Sequence, residues 1–494
     1  MAEQKLIETY EIPLYDTKVR VDIVKGAELV MQYMIHRPEL SGPTSILLES
    51  VKDEILKEVR IKPQEIFEAK SVEKLSRDFR EKAHEIILKK LPNLDAAKRN
   101  SLVSYLISEM IGLGLLEIPL NDPDLEEIAV NTSAEPAWVY HKKHGWLKTN
   151  ITVKTEQQVQ NYASIIARRI GRQITTLEPL LDAHLVTGDR ANATLAPIST
   201  KGNTLTIRKF ARKPWTVTDF ITNGTLNSEV AAFLWTAIQY ELNIIVAGGT
   251  SSGKTALLNS LMPFMQPNHR IISIEDTREL QLPSFLHWVP MTSRLPNPEG
   301  KGEVSMLDLM VNSLRMRPDR IVVGEIRRGD QAEVLFEAMH TGHSVYATLH
   351  ADTAEQVIKR MTNPPINIPE VMMEAVHLII VQRRDRRTGA RKTSQVAELL
   401  PAGDVEEKRG LKVNVLYRLK PDGSIAPHDP CIRIIDLLRM HTGMTDREFM
   451  SELKEKMAVL DYMVKHNIND LDDIGKIVAE YYSDKGSLLR RIKK

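Results

Sequence analysis

The sequence predicts an α/β protein made of more than one domain. Its 494 residues exceed the roughly 250 to 300 at which a single hydrophobic core stops growing. Helical and strand-like patterns alternate from about residue 233 to residue 382, as in a parallel sheet covered by helices. A glycine-rich phosphate-binding pattern stands near the beginning of this alternation. We therefore expect a parallel α/β domain with further parts before and after it.

The first 110 residues are predicted to form a mainly helical region. Apolar residues recur at helical spacing across residues 71–91 and 97–111. In the second stretch Leu102, Leu106 and Met110 share one face, and glycines follow at its end.

Residues 111–212 are predicted to form a small α+β domain. Short strand-like runs follow one another there (EEIAVN, PAWVYH, ATLAPI and TLTIRKF), with one helical pattern near residues 159–170. Residues 213–222 include Pro214 and have no clear periodicity, so they are predicted to be a flexible interdomain linker.

The remaining chain is predicted to contain a parallel α/β core and an extension. Residues 223–400 carry the alternating pattern, including the strand-like run NIIVAG. Residues 401–494 are predicted to form a C-terminal β-hairpin and a helical extension, in which Thr445 and Glu448 make a capping-box pattern.

Composition excludes some classes of site. Cys431 is the only cysteine, so the chain has neither a disulfide framework nor a cysteine-based zinc site. The 66 Lys and Arg residues nearly balance the 65 Asp and Glu residues, which argues against a general polyanion-binding surface. The sequence has no signal-peptide pattern and no run of roughly 18 consecutive apolar residues, as a spanning helix needs. We therefore expect a soluble cytoplasmic protein.

The pattern G-x-x-x-x-G-K-[ST] predicts a nucleotide site. It is matched in full by Gly248, Gly249, Thr250, Ser251, Ser252, Gly253, Lys254 and Thr255. The glycines allow several backbone N–H groups to point at one phosphate, and the following helix adds its positive N-terminal end. We expect Lys254 to reach the β and γ phosphates and the Thr255 hydroxyl to ligate Mg²⁺.

Two strand ends supply candidate acids for hydrolysis. Glu325 follows the short strand at residues 320–323, and ligands of parallel sheets bind at the carboxyl ends of strands. We expect Glu325 to orient the attacking water, directly or through Mg²⁺; a solvated carboxylate is the alternative. Glu275, Asp276 and Glu279 follow another strand, and paired carboxylates there suit water-mediated contacts with Mg²⁺.

Three histidines, His340, His343 and His350, surround the β-rich run SVYATL. Their spacing does not favour a metal site. A histidine that senses the γ-phosphate fits better, although His343 could instead be a packed core residue.

Four segments together resemble a known family. In this order, the glycine-rich loop, IEDTREL, VVGEI and TGHSVYATLH are similar to the Walker A, Asp box, Walker B and His box of the secretion ATPase superfamily. That superfamily drives type II and type IV secretion, type IV pili and the archaellum. The resemblance covers about residues 110–400, and LDYMVKHNINDLDDIGKIVAEYY resembles the C-terminal helices of archaeal members.

The resemblance implies a fold and a set of site residues. It implies a PAS-like α+β domain at residues 111–212, a RecA-like P-loop ATPase core at residues 223–400, and hexameric rings with ATP between the two domains. Arg190 and Arg208 would contact the γ-phosphate, although from the residues alone either could be a solvated strand-edge charge. The family's other catalytic and nucleotide-binding positions correspond to Gly248 to Thr255, Glu275, Asp276, Glu279, Glu325 and His350.

These observations predict a homohexameric, Mg²⁺-dependent ATPase at the cytoplasmic membrane. Its ATP-driven domain motions would power an archaeal type IV filament (pilus or archaellum) or a type II-like secretion machine. The expected partners are a polytopic membrane platform protein and accessory cytoplasmic proteins, with no nucleic acid.

Two other functions remain as alternatives. A RecA-like nucleic-acid translocase would need a basic groove or stacking aromatic residues, but aromatic residues make up only 5% of the chain. The only dense basic run is RRDRRTGARKT, residues 383–393. A nucleotide-gated scaffold with negligible turnover is the third possibility, against which Glu325 argues.

Overall fold

The computed structural model describes residues 5–26, 28–36, 42–58, 69–185, 188–210, 213–296, 299–401 and 411–492. The chain divides into two compact units, Met1–Arg212 and Lys213–Lys494. Residues 402–410, at the start of the predicted C-terminal extension, lie outside the described residues.

The first unit contains a nine-stranded sheet with the order β1-β2-β3-β6-β5-β4-β9-β8-β7. Neighbouring strands are antiparallel except β3 and β6, which are parallel. The strands are β1 (Lys5–Leu14), β2 (Thr17–Lys25), β3 (Gln32–His36), β4 (Leu125–Val130), β5 (Trp138–His141), β6 (Gly145–Thr149), β7 (Leu180–His184), β8 (Arg190–Thr194) and β9 (Thr204–Arg208). The helices are α1 (Gly42–Glu58), α2 (Ala69–Lys90), α3 (Ala96–Met110), α4 (Glu117–Asn121) and α5 (Glu156–Arg169).

The prediction of a mainly helical region across residues 1–110 is wrong for residues 5–36, which form three strands. In β2, the buried apolar residues Val19, Val21 and Ile23 alternate in the sequence with the charged residues Arg20, which is exposed, and Asp22, which is buried. This period of two is typical of a half-buried strand. The helical prediction is confirmed for α2 and α3, which pack together with α1 in a small hydrophobic core.

The second unit contains another nine-stranded sheet, with the order β12-β11-β13-β14-β10-β15-β16-β17-β18. Along this order, neighbouring strands are parallel from β12 as far as β15 and antiparallel from β15 to β18. The strands are β10 (Ile244–Gly248), β11 (Ile271–Glu275), β12 (Trp288–Thr292), β13 (Arg320–Val323), β14 (Ser344–Leu349), β15 (Leu378–Arg384), β16 (Arg391–Leu400), β17 (Lys412–Leu419) and β18 (Ile425–Pro427). The helices are α6 (Val217–Thr222), α7 (Ser228–Gln239), α8 (Lys254–Leu261), α9 (Met306–Leu314), α10 (Gly329–His340), α11 (Ala354–Thr362), α12 (Arg433–Thr442), α13 (Asp446–Lys465), α14 (Leu471–Ser483) and α15 (Lys485–Ile492).

Hydrophobic cores cover both faces of this sheet. In β10, Ile244 and Val246 belong to one core, and Ile245 and Ala247 belong to the other. Such a strand is apolar throughout, because successive side chains of a central parallel strand point to opposite buried faces. This confirms the predicted parallel α/β domain and brings the carboxyl ends of β10, β11, β13 and β14 to one edge.

Three predicted boundaries differ from the structure. The boundary predicted after residue 110 divides one sheet, because β3 pairs with β6. Within the predicted linker, residues 217–222 form helix α6, which begins at a capping box between Thr216 and Asp219. The boundary predicted at residue 400 falls between two paired strands, because β16 and β17 are neighbours in the same sheet. The C-terminal hairpin and helices therefore extend the sheet and the core of the second unit rather than forming a separate part.

Among the described residues, no single helix is long and apolar enough to cross a membrane. The pair Ala96–Met110 and Gly114–Asn121 has that length and composition only when taken together, and it is bent by 113°.

Candidate nucleotide-binding site

The glycine-rich loop connects β10 to α8, as its sequence pattern predicts. Gly253 has a φ of +89° where α8 begins, a left-handed conformation that favours glycine. At Gly248 a β-carbon would lie 2.5 Å from the carbonyl oxygen of Gln382 on β15. The loop therefore requires glycine at both ends to bring its backbone N–H groups around a small cradle.

Lys254 lies among carboxylates at this cradle. Its Nζ donates a hydrogen bond to the carbonyl oxygen of Gly249 at 3.1 Å. Burial lowers the pKa of the Lys254 ammonium, and the negative charges of Glu325, Glu279 and Asp352 oppose this effect. Three strand-end segments therefore converge on the lysine, and binding of a phosphate there would add the negative charge that a half-buried ammonium favours.

The loop has further features that fit a bound nucleotide with Mg²⁺. The Ser252 hydroxyl is buried and has no hydrogen-bond partner, so it has an unsatisfied polar atom at the cradle. Thr255 lies half-buried in the first turn of α8. Its hydroxyl and nearby carboxylates are hard oxygen donors of the kind Mg²⁺ prefers.

Glu325 belongs to a row of ion pairs. Its Oε2 accepts a hydrogen bond from Arg327 Nε at 2.8 Å, and Arg327 Nη1 donates to Asp276 Oδ2 at 2.7 Å. Asp276 Oδ1 also accepts from Ser293 Oγ at 3.0 Å. Since the side chain of Glu325 is 29% exposed, a water molecule can reach it.

Glu275 differs from its neighbour Asp276 in being buried. Its Oε1 accepts hydrogen bonds from the backbone N–H groups of Glu279 at 2.8 Å and Leu280 at 3.0 Å, while Oε2 is buried without a partner. Burial raises the pKa of the Glu275 carboxyl to about 7. This geometry makes Glu275 the residue that shapes the turn after β11; its predicted catalytic role stays a prediction.

The three predicted histidines lie in different environments. His350 Nε2 is 3.1 Å from the Thr250 hydroxyl, so His350 contacts the glycine-rich loop. His343 Nδ1 lies 3.1 Å from the Thr341 hydroxyl and 3.3 Å from the Ala338 carbonyl oxygen, beyond the end of α10. His340 is exposed on the last turn of that helix.

Within the described ranges, no group of three or more His, Cys, Asp or Glu side chains is arranged to hold a metal ion.

The two predicted arginines face each other within the first unit. Arg190 on β8 is the direct cross-strand partner of Arg208 on β9, and Arg208 also pairs with Glu127 on β4. Arg190 forms two hydrogen bonds with Asp182, at 3.0 and 2.6 Å, which hold the pKa of that carboxyl below its usual range. Like charges directly opposite each other destabilise a sheet. Asp182 and Glu127 offset these like charges, and the expected contact of the two arginines with a phosphate stays a prediction.

The structure adds a contact that the sequence did not indicate. Arg391 Nε donates to the carbonyl oxygen of Ser251 at 3.1 Å, and Lys392 bonds to the Gly224 carbonyl group. Both residues begin β16, so the basic run at residues 383–393 belongs to the β15–β16 hairpin. Arg391 bonds to the glycine-rich loop, and the turn of the hairpin is exposed. No local pattern signals this contact, because the bonded residues are 140 positions apart.

Comparison with known proteins gives one family and several distant relatives. The family model described as "Type II/IV secretion system protein" matches residues 126–414, more than half of the chain. An uncharacterized protein of Methanocaldococcus jannaschii is 34% identical over 396 residues, which cover 79% of this chain and 71% of the relative. The type IV secretion system protein PtlH of Bordetella pertussis is 30% identical over 306 residues, covering 55% of this chain and 89% of the relative. The X-ray structure of the Legionella pneumophila ATPase DotB is similar with a TM-score of 0.40 and 19% identity, covering 73% of this chain and 93% of that chain.

Proposed function

Because the chain belongs to the type II/IV secretion system protein family, we propose that it is a Mg²⁺-dependent ATP hydrolase that drives a membrane-bound secretion or filament machine. The observation that carries this proposal is the convergence of Lys254, Glu325 and Glu279 at the glycine-rich loop. A phosphate cradle with an acid at a neighbouring strand end is what nucleotide hydrolysis requires.

The first step that the residues support is capture of the triphosphate. Backbone N–H groups of residues 249–255 and the N-terminal end of α8 attract phosphate oxygens. Lys254 would exchange its bond with the Gly249 carbonyl for bonds with the β and γ phosphates, and the Thr255 hydroxyl and Glu325 would hold Mg²⁺. When bound, Mg²⁺ supplies a Lewis acid that neutralises charge on the phosphate oxygens.

The second step is the orientation of water. The Glu325 carboxylate is partly exposed and fixed by Arg327, so it can accept a hydrogen bond from a water molecule beside the γ-phosphate. His350 contacts Thr250 of the same loop and would respond to the γ-phosphate there. Arg190 and Arg208 would add positive charge to the transferring phosphate, as arginines do in other phosphate-transferring enzymes.

We extend the proposal to the assembled machine by family membership. The enzyme would work as a homohexamer, with a PAS-like domain in the first unit and a RecA-like core in the second unit. Its partners would be a polytopic membrane platform protein and accessory proteins on the cytoplasmic side. Its output would be assembly, rotation or secretion by an archaeal type IV filament or a type II-like machine. Nucleotide can move such a machine only through contacts that differ between its states, and the two arginines are our candidates for those contacts.

The test is the double variant Arg190→Gln/Arg208→Gln. We expect phosphate release from Mg²⁺-ATP to fall by about 10³-fold, while binding of a fluorescent ADP analogue changes by less than about threefold, since the glycine-rich loop is intact. The matched control Lys154→Gln/Arg168→Gln removes the same charge from exposed positions of the same unit and should leave turnover unchanged. Full turnover in the arginine variant would refute the assignment.

The same assay separates the rival function. The hairpin at residues 383–393 contains no aromatic residue on which bases could stack. Hydrolysis that rises with single-stranded DNA and not with acidic lipid vesicles would favour a nucleic-acid translocase. The absence of any steady-state phosphate release would favour a nucleotide-gated scaffold.

A further inference from the structure

We propose that the C-terminal helices position the acidic loop of the nucleotide site and connect it to the beginning of the second unit. The acidic loop is the segment 276–287 between β11 and β12, which carries Asp276 and Glu279. The connecting element is the α13–α14 turn, residues 466–470, together with the first turns of α14. This inference rests on the proposed function, because it concerns regulation of ATP turnover at that site.

The first contact is a charge-assisted clamp. Asp472 lies in the first turn of α14. Its Oδ1 accepts a hydrogen bond from the Ser284 backbone N–H at 2.7 Å, and its Oδ2 accepts from the Ser284 hydroxyl at 2.8 Å. These bonds lower the pKa of the Asp472 carboxyl. The clamp therefore consists of an ionised carboxylate that accepts two hydrogen bonds from one loop residue. Hydrogen bonds to a charged acceptor are stronger than those between neutral groups.

The second contact is close packing of the same helix on the same loop. Gly475 is buried, and a β-carbon there would lie 2.7 Å from Pro283 Cγ and 3.0 Å from Phe285 Cζ. Leu282 and Ile474 belong to one hydrophobic core. The acidic loop thus rests directly on the backbone of α14, and a displacement of the helix must displace the loop.

The other end of the loop is held within the nucleotide site. The Glu275 carboxyl accepts hydrogen bonds from the backbone N–H groups of Glu279 and Leu280. The charge of Glu279 acts on Lys254. With one end fixed by Glu275 and the other by Asp472, the loop has little freedom, so the position of α14 decides where the Glu279 carboxylate lies.

The α13–α14 turn also contacts the start of the second unit. The Thr218 hydroxyl on α6 donates to the carbonyl oxygen of Ile468 at 2.8 Å, and Lys213 Nζ donates to Asn469 Oδ1 at 3.3 Å. Thr218 is buried, so its bond is shielded from water. Residues 213–222 and the acidic loop are therefore joined through a single short turn, and motion of one is transmitted to the other.

The test compares Asp472→Ala with the matched control Asp473→Ala. Asp473 has the same charge in the same helical turn, but its carboxylate pairs with Lys476 on its own helix. We expect kcat for ATP to fall at least about tenfold in Asp472→Ala, because displacements of about 1 Å can cost far more than this. The dissociation constant of a fluorescent ADP analogue should stay within about twofold, and the control should match the wild type.

Hydrogen exchange tests the positioning role even if the proposed function fails. We expect amides of residues 276–287 to exchange at least about tenfold faster in Asp472→Ala and in Thr218→Val, with the rest of the sheet unchanged. In the double variant the acceleration should not exceed that of the larger single effect, since both substitutions interrupt one series of contacts. Unchanged exchange, independent multiplication of the two effects, or equal loss of protection across the whole unit would each overturn the inference. If the wild type releases no phosphate but the exchange pattern is found, the proposed function fails and the positioning role stands.

Discussion

Replacing Glu275 with glutamine should stabilise the second unit at alkaline pH and leave its stability unchanged at acidic pH. Glu275 is 2% exposed, and the Oε2 atom of its carboxyl group has no hydrogen-bond partner. Burial raises its pKa from 4.5 to about 7. The folded state therefore favours the protonated form.

The magnitude and its pH range follow from this difference. The folded unit has its full stability below about pH 4.5, the pKa of this carboxyl group in the unfolded chain. It loses stability as the pH rises through about 7, the pKa of the same group in the folded state. Each tenfold change in protonation equilibrium corresponds to about 1.4 kcal/mol, so the ionised carboxylate destabilises the folded unit by about 3 kcal/mol above pH 8. Glutamine stays neutral, and its oxygen can accept the same two backbone N–H bonds. We therefore expect Glu275→Gln to be about 3 kcal/mol more stable than the wild type at pH 8.5 and nearly equal to it at pH 4.5.

The assay is a urea series at both pH values, followed by pulsed hydrogen exchange in peptides from residues 271–275. This readout reports unfolding of the second unit alone, which matters because a chain of two units need not unfold in one step. Glu333→Gln, which changes an exposed glutamate on α10, is the control and should give no difference between the two pH values. A variant no more stable than the wild type at pH 8.5, or equally stabilised at both, would refute the reasoning.

Three further predictions concern the loop and the C-terminal helices. Gly248→Ala should abolish binding of a fluorescent ADP analogue, because its β-carbon would lie 2.5 Å from a backbone carbonyl oxygen. Gly42→Ala, with nothing within 4 Å of the added carbon, is the control and should bind normally. Arg391→Gln should weaken analogue binding about tenfold by losing one charged hydrogen bond of about 1.5 kcal/mol, while Arg391→Lys should recover part of the affinity. Lys456→Met should destabilise the protein by about 3 kcal/mol or more in urea titrations, because it leaves the nearly buried Glu452 carboxylate with the Tyr240 hydroxyl bond but no positive partner. Adding Glu452→Gln should restore most of the loss.

The parts of the site that the sequence predicted are those encoded by local patterns. The loop at residues 248–255 needs glycines, a lysine and a hydroxyl residue at fixed spacing, and Glu325 is separated from its strand by one glycine. Capping boxes such as that of Thr445 and Glu448 are similarly local, and this one is confirmed. Such features require no knowledge of which strands are neighbours.

Features that depend on topology could not be predicted in the same way. Glu275 and Asp276 are adjacent acids in the sequence, and only the position of the strand end buries the first and leaves the second in an ion pair with Arg327. The bond between Ser284 and Asp472 joins residues 188 positions apart. The strands at residues 5–36 are a different case, because the alternation of apolar and charged residues in β2 is itself a local pattern that predicts a strand.

The most direct test of the proposed ATPase is phosphate release by the wild type beside Glu325→Gln, with ATP binding measured in both. We predict Mg²⁺-dependent turnover by the wild type, and a variant that binds ATP with similar affinity but turns over about 10²- to 10⁴-fold more slowly, because it lacks the carboxylate that orients water. Wild-type turnover in Glu325→Gln, or no Mg²⁺-dependent phosphate release from the wild type, would contradict the account.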